Sequence, residues 1–106
     1  MVQQGEFEFR LMRNQLVGVY RNEYTDLIYY TECAKRIGDE VDHTEFEGNY
    51  ITAWFELGNE PKIANLSIKI KNGIYHLIWS REDKICFAGL GILRGDELVG
   101  RYWDEE

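Results

Sequence analysis

Apolar and polar positions alternate along most of this chain, most clearly from Leu66 to Trp79, LSIKIKNGIYHLIW. Two alternating runs flank Asn72-Gly73, a dipeptide suited to a two-residue hairpin turn because both of its residues tolerate positive φ. The register set by that turn places Lys71 opposite Ile74 and Ile70 opposite Tyr75. Leu66, Ile68 and Ile70 then meet Trp79, Leu77 and Tyr75 on one face. The other face is mixed, with Ser67, Lys69 and Lys71 across from Ile78, His76 and Ile74.

The same period extends in both directions. Glu6 to Arg13, EFEFRLMR, carries Phe7, Phe9 and Leu11 at every second position and predicts a strand; a helical spacing through Phe7, Leu11 and Gln15 is the competing reading. A turn at Asn14-Gln15 would set Leu11 opposite Gly18 and Phe9 opposite Tyr20, which joins two apolar sets and favours the strand. LVGVYRN follows as a second strand, and Leu27 to Cys33, LIYYTEC, as a third, rich in β-branched and aromatic residues. The polar run Lys35 to Thr44 predicts the long loop. Glu45 to Leu57 predicts the longest strand, with Phe46, Gly48, Tyr50, Thr52 and Trp54 on one face and Asn49, Ile51, Ala53, Phe55 and Leu57 on the other. Both faces are apolar, so both are expected to be covered.

Gly58-Asn59-Glu60-Pro61 then interrupts the pattern ahead of the central hairpin. Beyond Trp79, Arg81 to Lys84 is expected as a four-residue loop that puts Cys86 opposite Trp79, Ala88 opposite Leu77 and Leu90 opposite Tyr75. Arg94-Gly95-Asp96 is expected as a three-residue loop, with Ile92 by Leu98, Leu90 by Gly100 and Ala88 by Tyr102. A two-residue loop would, in that register, aim Arg101 into the core at a large desolvation cost.

This reading has eight strands, nearly all joined to their sequence neighbours, and no helix to cover a sheet edge. Closure is the economical solution, so residues 1–106 are expected as a single all-β domain, an up-and-down antiparallel β-barrel. Composition agrees: 106 residues at 44% hydrophobic supply one core and no second. The net charge of -7 opposes phosphate backbones and anionic lipid, so neither nucleic acid nor membrane is expected as a partner. Glu6, Glu8, Arg10 and Arg13 break any apolar leader, and no run approaches the roughly 20 apolar residues of a membrane helix. The expected compartment is therefore the cytoplasm, where Cys33 and Cys86 read as reduced thiols.

A Gly-x-Tyr unit recurs at Gly18-Val19-Tyr20, Gly48-Asn49-Tyr50, Gly73-Ile74-Tyr75 and Gly100-Arg101-Tyr102; in two copies a tryptophan follows, Trp54 and Trp79. At period two these residues share one face, where glycine permits sharp coiling and an aromatic ring fills the space beside it. Glycine, one residue, then an aromatic at strand starts resembles the calycins, the lipocalin and avidin group. The stretch Asn72 to Trp103 in particular looks like small bacterial barrels of that shape. The resemblance implies a barrel whose open end admits a small apolar or aromatic molecule. Biotin-contacting residues do not match position by position, and neither biotin nor lipid transport is carried over.

Other motifs lose to plainer readings. Gly89-x-Gly91-x-x-x-Gly95 imitates a dinucleotide fingerprint but lies in a hairpin with no following helix. Arg94-Gly95-Asp96 reads as a turn, and Asn65-Leu66-Ser67 as part of a strand rather than a glycosylation site. His43 among Asp39, Glu40, Asp42, Glu45 and Glu47 has neither EF-hand nor zinc spacing and reads as a solvated acidic loop. His76 is expected outward, across from Lys69. No nucleophile, base and orienter assemble, so no catalytic residue, metal or cofactor is assigned.

Two functional readings follow. In the first, Tyr20, Tyr50, Trp54, Tyr75, Trp79 and Tyr102 line a lumen that binds a small apolar or aromatic ligand. The same side chains, with Phe7 and Phe9, could instead simply fill the barrel. In the second, the outward Ile51, Phe55, Ile74, Ile78, Phe87, Val99 and Trp103, with Ala53 and Leu57, form a patch through which the chain associates into a homodimer or higher oligomer. The plainer variant covers that patch with the N-terminal segment and the Lys35 to Thr44 loop. A calycin-type enzyme working through tyrosines and a carboxylate is the third reading.

Overall fold

The computed structural model of the chain describes residues 4–22, 30–38, 45–55 and 60–105. Eight strands run β1 (Gln4–Met12), β2 (Gln15–Asn22), β3 (Tyr30–Arg36), β4 (Gly48–Trp54), β5 (Lys62–Lys71), β6 (Ile74–Arg81), β7 (Lys84–Arg94) and β8 (Glu97–Asp104). Each pairs antiparallel with the next and β8 returns to β1, giving a closed up-and-down barrel whose strand order follows the chain. Closure does the work that covering helices do in open sheets, since every ladder group of a strand finds a neighbour on both sides.

The Asn72-Gly73 hairpin has the expected register, with Lys71 opposite Ile74, Ile70 opposite Tyr75 and Leu66 opposite Trp79. Asn72 and Gly73 both take positive φ, 55° and 80°, which matches the twist of the flanking strands. All four tyrosines of the Gly-x-Tyr repeat are buried in the interior.

Three registers differ from expectation. The β1–β2 turn is Arg13-Asn14 rather than Asn14-Gln15, so Phe9 faces Gly18 and Phe7 faces Tyr20. This is a slip of two residues, and it leaves every side chain on its expected face. The β6–β7 turn is Glu82-Asp83, both with positive φ, and a bulge follows at Trp79/Ser80 that pairs Trp79 with Phe87. A slip of one reverses β7: Phe87, Gly89 and Gly91 face inward, while Leu90 lies outside. Correspondingly, β7 and β8 join through the two-residue turn Gly95-Asp96, with Leu90 opposite Arg101 on the outer wall. The three-residue loop expected to keep Arg101 out of the core is therefore not needed: the two-residue turn leaves it on the outer wall.

β3 continues past Cys33 to Arg36, because Glu32, Ala34 and Arg36 keep the inward alternation although two of them are charged. Lys35 and Arg36 are thus ladder residues instead of loop. β4 is shorter than expected; Ile51 on its outer face and Phe55 just past its end are 52% and 57% exposed. Leu27, Leu57, and His43 with Asp39, Glu40 and Asp42 lie outside the described residues.

Two glycines of the repeat, Gly18 and Gly100, are filled from neighbouring strands rather than by their own tyrosines. A Cβ at Gly18 would run into the ring of Phe9, and one at Gly100 would run into Leu90 O and stand 2.8 Å from the ring of Phe7. Each glycine vacates the volume that a cross-strand phenylalanine occupies.

Candidate functional site in the barrel interior

The interior has two ends of different character. At the hairpin end, where the turns Arg13-Asn14, Asn72-Gly73 and Gly95-Asp96 lie, β3 finishes with Arg36, whose backbone N–H donates to Asn14 O at 2.8 Å. Its side chain turns inward. Nη1 donates to Glu47 O and Nη2 to Glu45 O, both at 2.7 Å, and the guanidinium lies 4.8 Å from the ring centre of Tyr50. Tyr50 OH donates to Phe46 O at 2.7 Å, and Phe46 meets Tyr75 edge-on. Burial holds the Tyr50 hydroxyl above its ordinary pKa, against the pull of Arg36. Two of the six lumen residues expected from the sequence, Tyr50 and Tyr75, therefore belong to a packed plug.

The other four, Tyr20, Trp54, Trp79 and Tyr102, gather at the opposite end around a carboxyl group. Glu32 points inward from β3 between its cross-strand neighbours Gly18 and Trp54 and is 5% exposed. One oxygen, Oε2, accepts from Thr52 Oγ1 at 2.6 Å and from Trp79 Nε1 at 2.8 Å, tying β3 across the interior to β6. Among the described residues nothing donates to Oε1, and no Lys or Arg pairs with the group. Burial raises the Glu32 pKa from 4.5 to about 7, the hydrogen bonds from Thr52 and Trp79 pulling the other way.

Aromatic rings surround this level of the barrel. Phe87 packs edge-on against Trp54 at 6.1 Å and Tyr102 at 5.8 Å, and Tyr102 also meets Tyr20 and Trp79. Phe87 was expected on the outer surface; the β7 bulge instead turns its ring into the interior. The hydroxyls here are engaged: Tyr20 OH donates to Phe55 O, and Asn22 Nδ2 donates to Tyr102 OH at 2.6 Å.

Glu32, Asn22 and Arg36 carry most of the polar chemistry of the interior, and none was singled out from the sequence. The available signal was the spacing Glu32, Ala34, Arg36, but its inward face could be fixed only by the register to β2, across residues 23–29. Among the described residues no set of three metal-ligating side chains converges. Cys33 is exposed and Cys86 buried, both as free thiols. His76 is outside, opposite Lys69, as expected.

On the outer wall the expected association residues divide. Ile74, Ile78, Val99 and Trp103 fall together on β6–β8, where Ile92 pairs Val99 and Ala88 joins Ile78 to Trp103; Ile74, Val99 and Trp103 line a groove of about 440 Å³. Ile51 on β4 and Phe55 just past its end are separated from that wall by β5, whose outer face there carries Asn65, Ser67 and Lys69. Comparison with protein-family models, with curated protein sequences and with solved structures gives no match to this chain.

Proposed function

We propose that the chain is a calycin-like binding barrel that takes a small, largely aromatic or apolar ligand at the Glu32 end of its interior. The carrying observation is Glu32 itself, a nearly fully buried carboxyl with one oxygen lacking a donor among the described residues, set among Tyr20, Trp54, Trp79 and Tyr102. A filled structural core would be more stable with an apolar side chain there, because burying an unpaired carboxyl costs several kcal/mol when it ionises. Rings give the ligand flat contact area, and a few polar atoms fix its orientation. A thermal-shift screen of small aromatic and apolar metabolites tests the reading. The expected result is a ligand that raises Tm in the native chain and loses most of that effect in Trp79→Phe; absence of stabilisation across the screen overturns it.

A second reading, self-association through the β6–β8 wall, is favoured by the adjacency of Ile74, Ile92, Val99 and Trp103 around the outer groove. Sedimentation at micromolar concentration is expected to show a dimer or larger species that Trp103→Asp returns to monomer. A native chain that sediments only as monomer removes it.

A further inference from the structure

We infer that the ligand at the Glu32 end carries a protonated amine, and that this ammonium pairs with Glu32 Oε1. The inference rests on the binding-barrel reading and deepens it by naming the chemistry of the ligand's head.

A carboxylate held out of water needs a counter-charge or must give up its own charge. Glu32 is 5% exposed, and no cation among the described residues stands against it. The nearest arginine along the strand, Arg36, spends both terminal nitrogens on the carbonyls of Glu45 and Glu47 and lies over Tyr50 at the other end of the barrel. Oε2 accepts from Thr52 and Trp79, and no described residue donates to Oε1, which is the acceptor assigned to the ligand. The two donors already present also fix the plane of the carboxyl, so an incoming donor meets a held acceptor rather than a rotating one.

A metal ion is a poor candidate for the missing charge. Hard cations take six or more oxygens, and among the described residues no metal-ligating side chains gather here. An organic cation suits the surroundings better, since the faces of tryptophan and tyrosine attract ammonium groups while their area accepts an apolar body. Trp54 is the cross-strand neighbour of Glu32, Trp79 is bonded to it, and Tyr102 packs on Trp79. A net charge of -7 draws cations toward the molecule and repels carboxylates.

The described groups facing the carboxyl, Gly18 on β2, Thr52 and Trp54 on β4 and Trp79 on β6, do not titrate near neutrality. An ammonium that binds the ionised form therefore displaces the carboxyl proton to solvent, whereas a neutral ligand displaces none.

Isothermal titration of the full chain with small aromatic amines, each matched to its alcohol and its carboxylate (phenethylamine, phenethyl alcohol and phenylpropionate are the first set), tests this. Each amine that binds is expected to do so at least tenfold more tightly than its alcohol, with the carboxylates weakest. At pH 7 its binding should release protons, seen as a heat that varies with the ionisation enthalpy of the buffer. In Glu32→Gln the amine should bind no more tightly than its alcohol. The proton-release measurement uses the native chain, so it stands even where the variant folds poorly. Amines and alcohols that bind equally, without proton release, overturn the ammonium assignment and leave the binding barrel standing. No binding by any member of the sets, together with a silent thermal-shift screen, overturns both.

Discussion

The two ends of this barrel bury their polar groups in opposite ways. At the hairpin end a cation, Arg36, is enclosed with its terminal nitrogens on two carbonyls and its plane over Tyr50. At the other end an acid, Glu32, is enclosed with one oxygen doubly bonded and the other without a described donor. The first is held by its own chain through both terminal nitrogens, with Nε buried and without a hydrogen-bond partner among the described residues; in the second no described residue donates to one carboxyl oxygen. Where a buried cation has most of its bonds from its own chain, the simplest role is structural. Where a buried group does not, a partner from outside has something to supply.

The largest expected effect probes the packed part of the interior. Phe9 is 1% exposed and its ring occupies the space left by Gly18, so Phe9→Ala should cost about 3–5 kcal/mol in denaturant unfolding. A loss well under 2 kcal/mol would mean that this region is looser than its contacts imply.

The next effect is one of pH. The folded-state value for Glu32, about 7, lies above the ordinary 4.5, so the folded protein keeps a proton that the unfolded chain releases. The carboxyl costs nothing below about pH 4.5. Stability then falls as pH rises from there through 7, by about 3 kcal/mol once both states are ionised. Glu32→Gln keeps an acceptor for Thr52 and Trp79 and removes the charge, so it should match the native chain at pH 4 and exceed its stability at pH 8 by about that amount. Equal stability at both pH values would mean that Glu32 is hydrated or paired in solution. A gain at pH 8 would mark a group retained at the expense of the fold, as binding sites often are.

The smallest effect concerns a turn. Glu82 and Asp83 sit at φ 51° and 65°, a region that ordinary side chains enter at a cost. Replacing both with Asn-Gly should raise stability by about 1 kcal/mol and leave the ligand binding proposed for the Glu32 end unchanged. A change in binding would show that this turn and the bulge beside it help to hold Phe87 in place.

Much of the fold was legible in the sequence because its signals were local. Asn72-Gly73 fixed one register outright, and alternation assigned the inward faces of β1, β2, β4, β5, β6 and β8. β7 was misread for a physical reason: its turn uses Glu82-Asp83 where glycine or asparagine would announce positive φ, and its bulge adds a residue that alternation cannot count. The mistaken three-residue loop before β8 compensated for that slip, so Tyr102 was still placed inside. The site was less legible than the fold. Four of its aromatics were visible as inward residues, but Glu32 is an acidic residue on a strand whose register to β2 depends on residues 23–29. Its burial is a tertiary fact, created by Trp79 arriving from β6.

The seam between β1 and β8 joins Gln4 to Trp103, residues almost a whole chain apart, whereas every other pairing follows along the sequence. Ring closure there carries the largest chain-entropy cost of any step and is expected late in folding. Until it happens, the curled sheet offers two unsatisfied borders that can accept the complementary borders of another copy. The kinetic hazard of this architecture is therefore strand exchange between molecules at high concentration, and removing residues 97–105 should turn that passing hazard into permanent aggregation.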